Sequence, residues 1–254
     1  QTFDERIWYL KYNVRDPLNN KCSDKYRVRE YVKECGLEHI LNKLYAVYES
    51  VEEIDFDKLP DRCFLKCNNG SGANMIFDRR KEFEQEKFNK IFTESLNTDY
   101  YWSGREWNYR HIKPLILCEK VLEDKNGKLP LDYKIMCFAG EPKLLFLDIG
   151  VATEQGEHAE EYYRNIYDMD FKLLPVKETR ENYLGAEIVK PENWDKMVEY
   201  ARILSKPFRH CRVDLYNIDG EVYFGEITFH HGGGCNDIQP EEWAYKIGQW
   251  IPID

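Results

Sequence analysis

The sequence predicts an α+β fold, in which a few helices flank antiparallel strands. Apolar residues recur at helical spacing in short segments, most of them before residue 92. Short apolar runs separated by glycine-containing turns dominate from Lys113 onward, which is typical of hairpin-connected strands. Helices and strands do not alternate regularly, as they would in a doubly wound parallel sheet. The 254 residues suffice for one large or two coupled domains.

Residues 1–58 predict a helical amino-terminal segment. A first helix is expected over 3–20, where apolar residues recur every three or four positions and Pro17 stops the pattern. A second helix is expected from Ser23, a typical N-cap residue, to about Cys35, with Gly36 as its C-cap residue.

Residues 59–114 predict a small lobe, and residues 115–254 a larger one. In the small lobe, strands 64–67 and 75–77 flank a glycine-containing turn, and a charged helix follows over 79–89. The larger lobe is expected to contain strands and one helix. The strands are 115–119, 133–138, 143–147, 213–218 and 222–229, and the helix is 194–204.

Composition excludes several classes of protein. The formal net charge of −10 argues against a nucleic-acid partner, which would require a basic face. No run approaches 18 consecutive apolar residues, so no membrane span is expected. The eight cysteines include no Cys-x-x-Cys pair and several lie in apolar runs, which predicts reduced thiols and a cytoplasmic protein.

The turn of the small lobe is a candidate phosphate site. Lys66 ends a strand and is followed by Asn69, Gly70, Ser71 and Gly72. Glycines allow close approach of a ligand to backbone N–H groups, and the lysine adds a positive charge. The pattern is not a Walker A loop, because no Lys-Ser/Thr follows a glycine. The alternative is an ordinary hairpin turn.

The segment after the next strand is a candidate adenine hinge. An apolar strand ends in an acid and continues into apolar residues and further acids. Backbone groups of such a segment can hydrogen-bond the edge of a base, and a later carboxylate can reach the ribose. The residues are Glu119, Lys120, Val121, Leu122, Glu123 and Asp124. The alternative is a plain strand end.

The last hairpin carries two acids, Asp214 and Glu226, and its loop length decides whether they share a face. A two-residue Asp219-Gly220 turn would turn them to opposite faces. A three-residue loop, Ile218–Gly220 with the glycine in the left-handed conformation, would bring them to one face.

The three-residue loop is predicted, because it alone separates apolar from polar side chains. The apolar face then comprises Val213, Leu215, Tyr223, Ile227 and Phe229. The polar face comprises Arg212, Asp214, Glu226 and Thr228, with Arg212 opposite Glu226. Two carboxylates on one face suit Mg²⁺, a hard cation that prefers oxygen ligands and bridges nucleotide phosphates. The alternative is an exposed charged face with an Arg–Glu pair.

Together and in this order, these elements resemble the ATP-grasp superfamily. Ser23-Asp24-Lys25 resembles its helix-opening motif with a first phosphate-binding lysine. Asp132-Tyr133-Lys134 resembles the acid-x-base strand that follows the hinge. Glu226-Ile227-Thr228 resembles the Glu-x-Asn metal motif, with threonine in place of asparagine.

More narrowly, the chain is similar to the TupA-like ATP-grasp family over almost its whole length. The matching stretches are 2–10, 24–34, 65–72, 104–114, 132–134, 164–168 and 212–226. Where relatives tend to have an aromatic-Pro-Gly stretch after the metal motif, this chain has the run from His230 to Gly234. Either histidine could bind metal or act as a base, and Arg105 and Trp107 could line an acceptor pocket.

The resemblance implies an ATP-grasp fold, in which residues 1–58 pack on a nucleotide cleft between the small lobe and the larger lobe. It also implies a role for each candidate residue. Lys25 and Lys66 would hold the phosphates of ATP, and Glu119–Leu122 would hold adenine, with Glu123 or Asp124 near the ribose. Asp214 and Glu226, with Thr228, would bind Mg²⁺. Lys134 and Arg212 would stabilise charge on the transferring phosphoryl group or on the tetrahedral intermediate.

The resemblance also implies a reaction, in which a carboxylate is activated as an acyl phosphate and joined to an amine. Members of the family lie among surface-polysaccharide genes, so the implied substrates are a uronic-acid carboxylate and an amino acid or amine. Two alternatives remain: a glycosyltransferase, as members are often labelled, and a nucleotide-binding scaffold without catalysis. The sequence does not indicate the oligomeric state.

Overall fold

The computed structural model describes residues 1–151, 153, 156–157 and 159–253. The α-helices are α1 Phe3–Asn13, α2 Pro17–Ser23, α3 Val28–Glu34, α4 Gln85–Leu96, α5 Tyr101–Gly104, α6 Trp194–Ser205 and α7 Glu241–Gly248. The strands are β1 Leu44–Tyr48, β2 Arg62–Cys67, β3 Asn74–Asp78, β4 Ile116–Glu119, β5 Asp132–Phe138, β6 Glu141–Ile149, β7 Tyr163–Tyr167, β8 Lys177–Glu178, β9 His210–Ile218, β10 Glu221–Thr228 and β11 Ile238–Gln239. Short 3₁₀ helices lie at Glu38–Ile40, Val51–Glu53, Trp107–Tyr109 and His231–Gly234. This mixture confirms the α+β prediction.

The amino-terminal segment is helical, but its helices divide differently from the prediction. The helix expected over 3–20 is two helices, because Val14 is extended and Asp16 caps α2 with Pro17 in its first turn. The start expected at Ser23 is wrong, since that residue ends α2. Instead Asp24 Oδ1 accepts hydrogen bonds from the backbone N–H groups of Tyr26 and Arg27, in the turn before α3.

A four-stranded antiparallel sheet, in the order β1-β4-β2-β3, forms the small lobe. Alternate residues of β2 face a core that α4 completes with Phe88 and Phe92. The helix expected over 79–89 begins only at Gln85, after a turn. Because β1 and β4 belong to this sheet, it draws strands from both sides of residues 59–114.

A five-stranded antiparallel sheet, in the order β10-β9-β5-β6-β7, forms the larger lobe. One face packs against α3 and α6 through alternate residues such as Ile135 and Val213. The other face packs against α1 and α7 through residues such as Met136 and Phe146. That second face continues beyond its apolar part into charged side chains, so the strands themselves carry a polar site next to a hydrophobic core.

The β9–β10 hairpin corrects the predicted loop. Its turn has two residues, Asp219 and Gly220, both with positive φ, and Ile218 pairs with Glu221. An Asp-Gly turn of this kind matches the twist of the flanking strands, so it forms in preference to the predicted three-residue loop. As a consequence Val222 and Phe224, rather than Tyr223, occupy the apolar face with Val213 and Leu215.

A β-bulge at Gly225 nevertheless brings the two acids to one face. The register shifts between Phe224 and Glu226, so that Asp214 lies directly opposite Glu226, and Thr228 rather than Glu226 lies opposite Arg212. A Cβ atom at residue 225 would come within 3.0 Å of the Asp214 carbonyl oxygen. Glycine therefore permits the close approach that the bulge requires.

All eight cysteines are free thiols, and six of them are buried, as small apolar residues often are. Among the helices that the structure describes, none is both long and apolar enough to span a membrane.

Candidate active site

A cleft of about 400 Å³ lies between the two sheets and receives side chains from both lobes and from the amino-terminal segment. It brings together most of the residues that the sequence singled out. They are Lys25, Lys66, Gly70, Ser71, Gly72, Glu119, Lys120, Val121, Leu122, Lys134, Arg212, Asp214 and Glu226.

The turn before α3 aims Lys25 at the glycine-containing turn of the small lobe. Asp24 accepts a hydrogen bond of 2.8 Å from Asn68 Nδ2, which fixes this turn against β2. The Lys25 ammonium then donates to the carbonyl oxygen of Gly70 and lies 3.6 Å from Glu226 Oε2. One lysine thus contacts the small lobe and the large lobe across the cleft.

Lys66 and Glu119 form an ion pair at the hinge, with 2.9 Å between Lys66 Nζ and Glu119 Oε2. The two residues lie on the adjacent strands β2 and β4, and their side chains reach the same side of the sheet. Glu119 is buried and also lies 3.4 Å from both Arg29 Nη1 and Asn42 Nδ2. This carboxylate is therefore held by three donors at the point where the chain passes to the large lobe.

Four further predicted residues are not among those that line the cleft. Asn69 donates to backbone carbonyls at the end of α4, and Glu123 pairs with Arg62. Asp124 accepts from two backbone N–H groups of its own turn. Thr228 donates from its hydroxyl to Glu226 Oε1 at 3.2 Å, so it supports a cleft carboxylate.

Arg212 lies between the two acids of the hairpin. It donates to both oxygens of Asp214, at 2.7 and 2.6 Å, and to Glu226 Oε1 at 2.8 Å. Burial alone would raise the pKa of Glu226, but the charges of Lys25 and Arg212 outweigh it and lower that pKa to about 2. Arg212 thus pairs with both carboxylates, which lie side by side.

This pair of carboxylates fits Mg²⁺. Mg²⁺ in nucleotide sites takes one or two carboxylates and completes its shell with phosphate oxygens and water. Within the part of the chain that the structure describes, no group of three His, Cys, Asp or Glu side chains is placed to hold a metal ion. Asp214 and Glu226 would therefore bind the metal together with phosphate oxygens, rather than in a cage made of protein alone.

Lys134 lies on β5 beneath this pair and contacts three buried acids. It donates to Asp132, lies 3.2 Å from Asp214 Oδ2 and 3.7 Å from Asp148 Oδ2. Burial disfavours the ammonium, but Asp132 and Asp214 outweigh it and raise the pKa of Lys134. Burial also raises the pKa of Asp132, to about 6 despite the attraction of Lys134. Among the described residues, Asp132 Oδ1 has no hydrogen-bond partner.

Sequence reasoning missed a second chain of charges behind this one. Arg164 on β7 donates to both oxygens of Asp148, at 2.5 and 2.7 Å, and to Glu178 on β8. The ring of His231 lies between the two arginines, with its Nδ1 2.9 Å from Arg212 Nη1. Asp148 directly follows the apolar run of β6, and this signal of a buried acid was available in the sequence.

His231 contacts both arginines and Glu178. Its Nδ1 accepts a hydrogen bond from Arg212 at 2.9 Å, because arginine can only donate, and its Nε2 lies 3.5 Å from Arg164 Nη1 and 3.8 Å from Glu178 Oε1. Burial lowers the pKa of His231, so the ring is neutral at neutral pH. His230 does not take part in these contacts of His231. It pairs with Glu106, with 3.2 Å between His230 Nδ1 and Glu106 Oε2.

Three parts of this chain meet at one cleft: a hairpin lobe with a glycine turn, a hinge strand, and a pair of antiparallel strands that carry acids. Together they define the ATP-grasp architecture. The chain belongs to the TupA-like ATPgrasp family, whose model matches residues 5–252. A search of curated proteins gave no match.

Solved structures of similar fold include three amino-acid ligases. They are a D-alanine–D-alanine ligase from Bacillus anthracis (15% identity, TM-score 0.45, 82% of this chain and 57% of that one), an L-amino acid ligase from Bacillus licheniformis (15%, 0.49, 84% and 44%) and a D-alanine–D-alanine ligase from Helicobacter pylori (13%, 0.46, 91% and 59%). The chain thus spans between 44% and 59% of the length of these structures.

Proposed function

We propose that this chain is an ATP- and Mg²⁺-dependent carboxylate–amine ligase that activates a carboxylate as an acyl phosphate and joins it to an amine. One observation carries the proposal. Two lysines from the amino-terminal segment and the small lobe, Lys25 and Lys66, face the acidic pair Asp214 and Glu226 across a single cleft. Cations for phosphate and anions for metal are the two requirements of phosphoryl transfer from a nucleotide.

Each part of the cleft has a place in this reaction. Adenine would lie at the hinge, against Val121 and Leu122, since the backbone of Lys120 already bonds to Lys43 and Asn42. The glycine turn and the two lysines would bind the phosphates. Asp214 and Glu226 would hold Mg²⁺, which would supply positive charge beside the phosphates.

Arg212 and Lys134 are positioned to act on the transferring phosphoryl group. Their charges are fixed by buried acids, so no side chain needs to reorganise when negative charge develops beside them. His231 holds Arg212 from the side away from the acids, which leaves the guanidinium in one orientation. The two cations would then stabilise the phosphoryl oxygens and, in the second step, the tetrahedral intermediate.

The substrates that we propose are a uronic-acid carboxylate of a surface polysaccharide and an amino acid or amine. This assignment is supported by the family resemblance. We propose that the reaction takes place in the cytoplasm, and the free thiols support this location.

Interception of the acyl phosphate tests the proposal. Protein, ATP, Mg²⁺ and hydroxylamine are incubated with each of several uronic acids and uronate oligosaccharides. Attack of hydroxylamine on the acyl carbon should expel phosphate and give a hydroxamate, with one ADP released for each hydroxamate. Glu226→Gln should abolish the signal, because it removes a charge from the metal site while keeping the shape of the side chain.

Glu123→Gln is the matched control, since the same change is made on an acid that lies outside the cleft and pairs with Arg62. It should form hydroxamate at the wild-type rate. Turnover of a nucleotide sugar without any ATP requirement would refute the ligase and support a glycosyltransferase. ATP binding with no hydroxamate from any acid in the panel would favour a scaffold without catalysis.

A further inference from the structure

A cluster of aromatic rings and arginines lies on α5, on the segment that joins α5 to β4 and on the segment between α1 and α2. We call it the aromatic–arginine surface. Its members are Arg15, Tyr101, Trp102, Arg105, Trp107 and Arg110. None of them serves the nucleotide site described above.

The three arginines of this surface are exposed and lack acidic partners. Among the residues that the structure describes, no carboxylate forms an ion pair with Arg15, Arg105 or Arg110. The acids nearest in sequence are engaged elsewhere, since Asp16 accepts the backbone N–H of Leu18 at the start of α2 and Glu106 pairs with His230. Three arginines without an ion-paired acid thus belong to one surface of a chain whose net charge is −10.

The guanidinium groups of Arg105 and Arg110 lie over aromatic rings, and no hydrogen bond among the described residues occupies their N–H donors, whereas Arg15 Nη1 donates to the carbonyl oxygens of Lys11 and Val14. The Arg105 guanidinium lies 4.4 Å from the centre of the Trp102 ring, and the Arg110 guanidinium lies 5.1 Å from that of Tyr101. A stacked guanidinium retains its in-plane N–H donors, which match the two oxygens of a carboxylate. Trp102 is 59% exposed, so a large apolar ring surface remains accessible next to these donors.

The aromatic–arginine surface is joined to the reacting end of the cleft. Glu106, between Arg105 and Trp107, pairs with His230. The next residue, His231, contacts Arg212, which lies at the proposed phosphoryl-transfer site. A ligand on this surface would thus lie close to the end of the cleft where a carboxylate must arrive.

We propose that this surface binds an acidic glycan chain and presents one of its uronate carboxylates to the cleft. This proposal rests on the proposed ligase function and specifies its carboxylate substrate as a polymer rather than a free sugar acid. The apolar face of a sugar ring stacks on an exposed indole, and carboxylates spaced along the chain bind the guanidinium edges. Nucleic acid is disfavoured, because three arginines on a chain of charge −10 do not form a continuous basic face.

Binding is measured without ATP, by titration calorimetry with a short oligogalacturonate, at two salt concentrations. We expect binding that weakens with salt. Trp102→Ala and Arg110→Gln should each weaken it at least tenfold, and both positions are exposed, so the variants should fold. The matched control is Lys43→Gln, since this exposed lysine also lies over an exposed ring, that of Tyr45, outside the surface.

Three other polymers separate the contributions of ring and charge. A neutral galactan supplies rings without carboxylates, polyglutamate supplies carboxylates without rings, and a single-stranded oligonucleotide supplies a different polyanion. All three should bind at least tenfold more weakly than the oligogalacturonate. Equal binding of any of them, or unaltered oligogalacturonate binding by Trp102→Ala and Arg110→Gln, would overturn the proposal.

The outcome is distinguishable from that of the ligase test. Hydroxamate formation from a monomeric uronic acid, with no oligogalacturonate binding, would support the proposed ligase function and refute the proposed glycan-binding role of the surface. Binding that depends on Trp102 and Arg110, with no hydroxamate from any acid, would support the surface and refute the ligase.

Discussion

Lys134→Met tests whether the buried charges beneath the cleft are balanced as the structure indicates. The substitution removes one ammonium and keeps an unbranched apolar side chain of similar length. Asp148 would still accept two hydrogen bonds from Arg164, and Asp214 would still accept two from Arg212. Asp132 would lose the single hydrogen-bond partner that the structure shows for it, since its other oxygen already has none among the described residues.

The loss of folding stability should arise mainly from Asp132 and should depend on pH. Loss of one partner from a buried ion pair costs roughly 3–5 kcal/mol. In the native protein the pKa of Asp132 is already raised from 3.8 to about 6, mainly by burial. Between these values the native state holds a proton that the unfolded chain has released, so stability falls as pH rises through this window, by about 3 kcal/mol in the wild type.

In the variant this window extends above pH 6, because Asp132 has lost its cation. We therefore expect the full destabilisation near pH 8 and roughly half of it near pH 5, where the acid takes up a proton. Urea unfolding of the wild type and the variant, without metal or nucleotide, measures the destabilisation at each of the two pH values. The double variant Asp132→Asn/Lys134→Met should recover most of the loss at pH 8. A loss that is equal at both pH values and is not recovered by the double variant would refute this account.

Three further predictions concern the cleft. Lys66→Ala should weaken ATP binding by about 1.5–3 kcal/mol, roughly 10- to 150-fold in Kd by calorimetry. The urea midpoint of this variant should hardly change, because Glu119 keeps two other hydrogen-bond donors. An unaltered Kd for ATP would show that Lys66 does not bind the phosphates. Glu123→Gln should leave the Kd for ATP within about twofold, since a change outside the cleft removes no charge-assisted bond to ATP. A tenfold loss of ATP affinity would instead indicate that Glu123 contacts the ribose. Gly225→Ala brings a Cβ to 3.0 Å from the Asp214 carbonyl; we expect about 1–3 kcal/mol of lost stability and, in the hydroxamate assay, a rate loss larger than that of Glu123→Gln.

The hairpin of the small lobe could be predicted because β2 alternates strictly. In β2, inward Cys63, Leu65 and Cys67 alternate with partly exposed residues, and the turn that follows contains two glycines. The strand of Lys134 was predictable for a different reason, its apolar run before the turn at Gly140, since all seven of its residues are buried. Helix starts were less predictable, since Ser23 and Asp24 are both good N-cap residues and only tertiary contacts with Asn68 favour the second.

Pairings between distant strands could not be predicted. The contact of Arg164 with Asp148 depends on the neighbouring positions of β6 and β7 in the sheet, and His231 reaches Arg212 through a turn of irregular backbone. The hairpin of Asp214 shows the same limit on a smaller scale. Its apolar pattern indicated that both acids share a face, but it did not distinguish a longer loop from a bulge, because either one shifts the register.

The Gly225 bulge has a consequence for how related sequences should be aligned. In a regular hairpin with a two-residue turn, residues that face each other are always an odd number of positions apart. Asp214 and Glu226 are twelve positions apart, so an even count between the two acids requires one extra residue somewhere between them. A relative can relocate that residue from the bulge to the turn and still direct both carboxylates into the cleft. A relative that keeps the twelve positions but has neither the bulge nor a longer turn would direct the equivalent of Ile227 there instead, and it would lose one carboxylate from the proposed metal site.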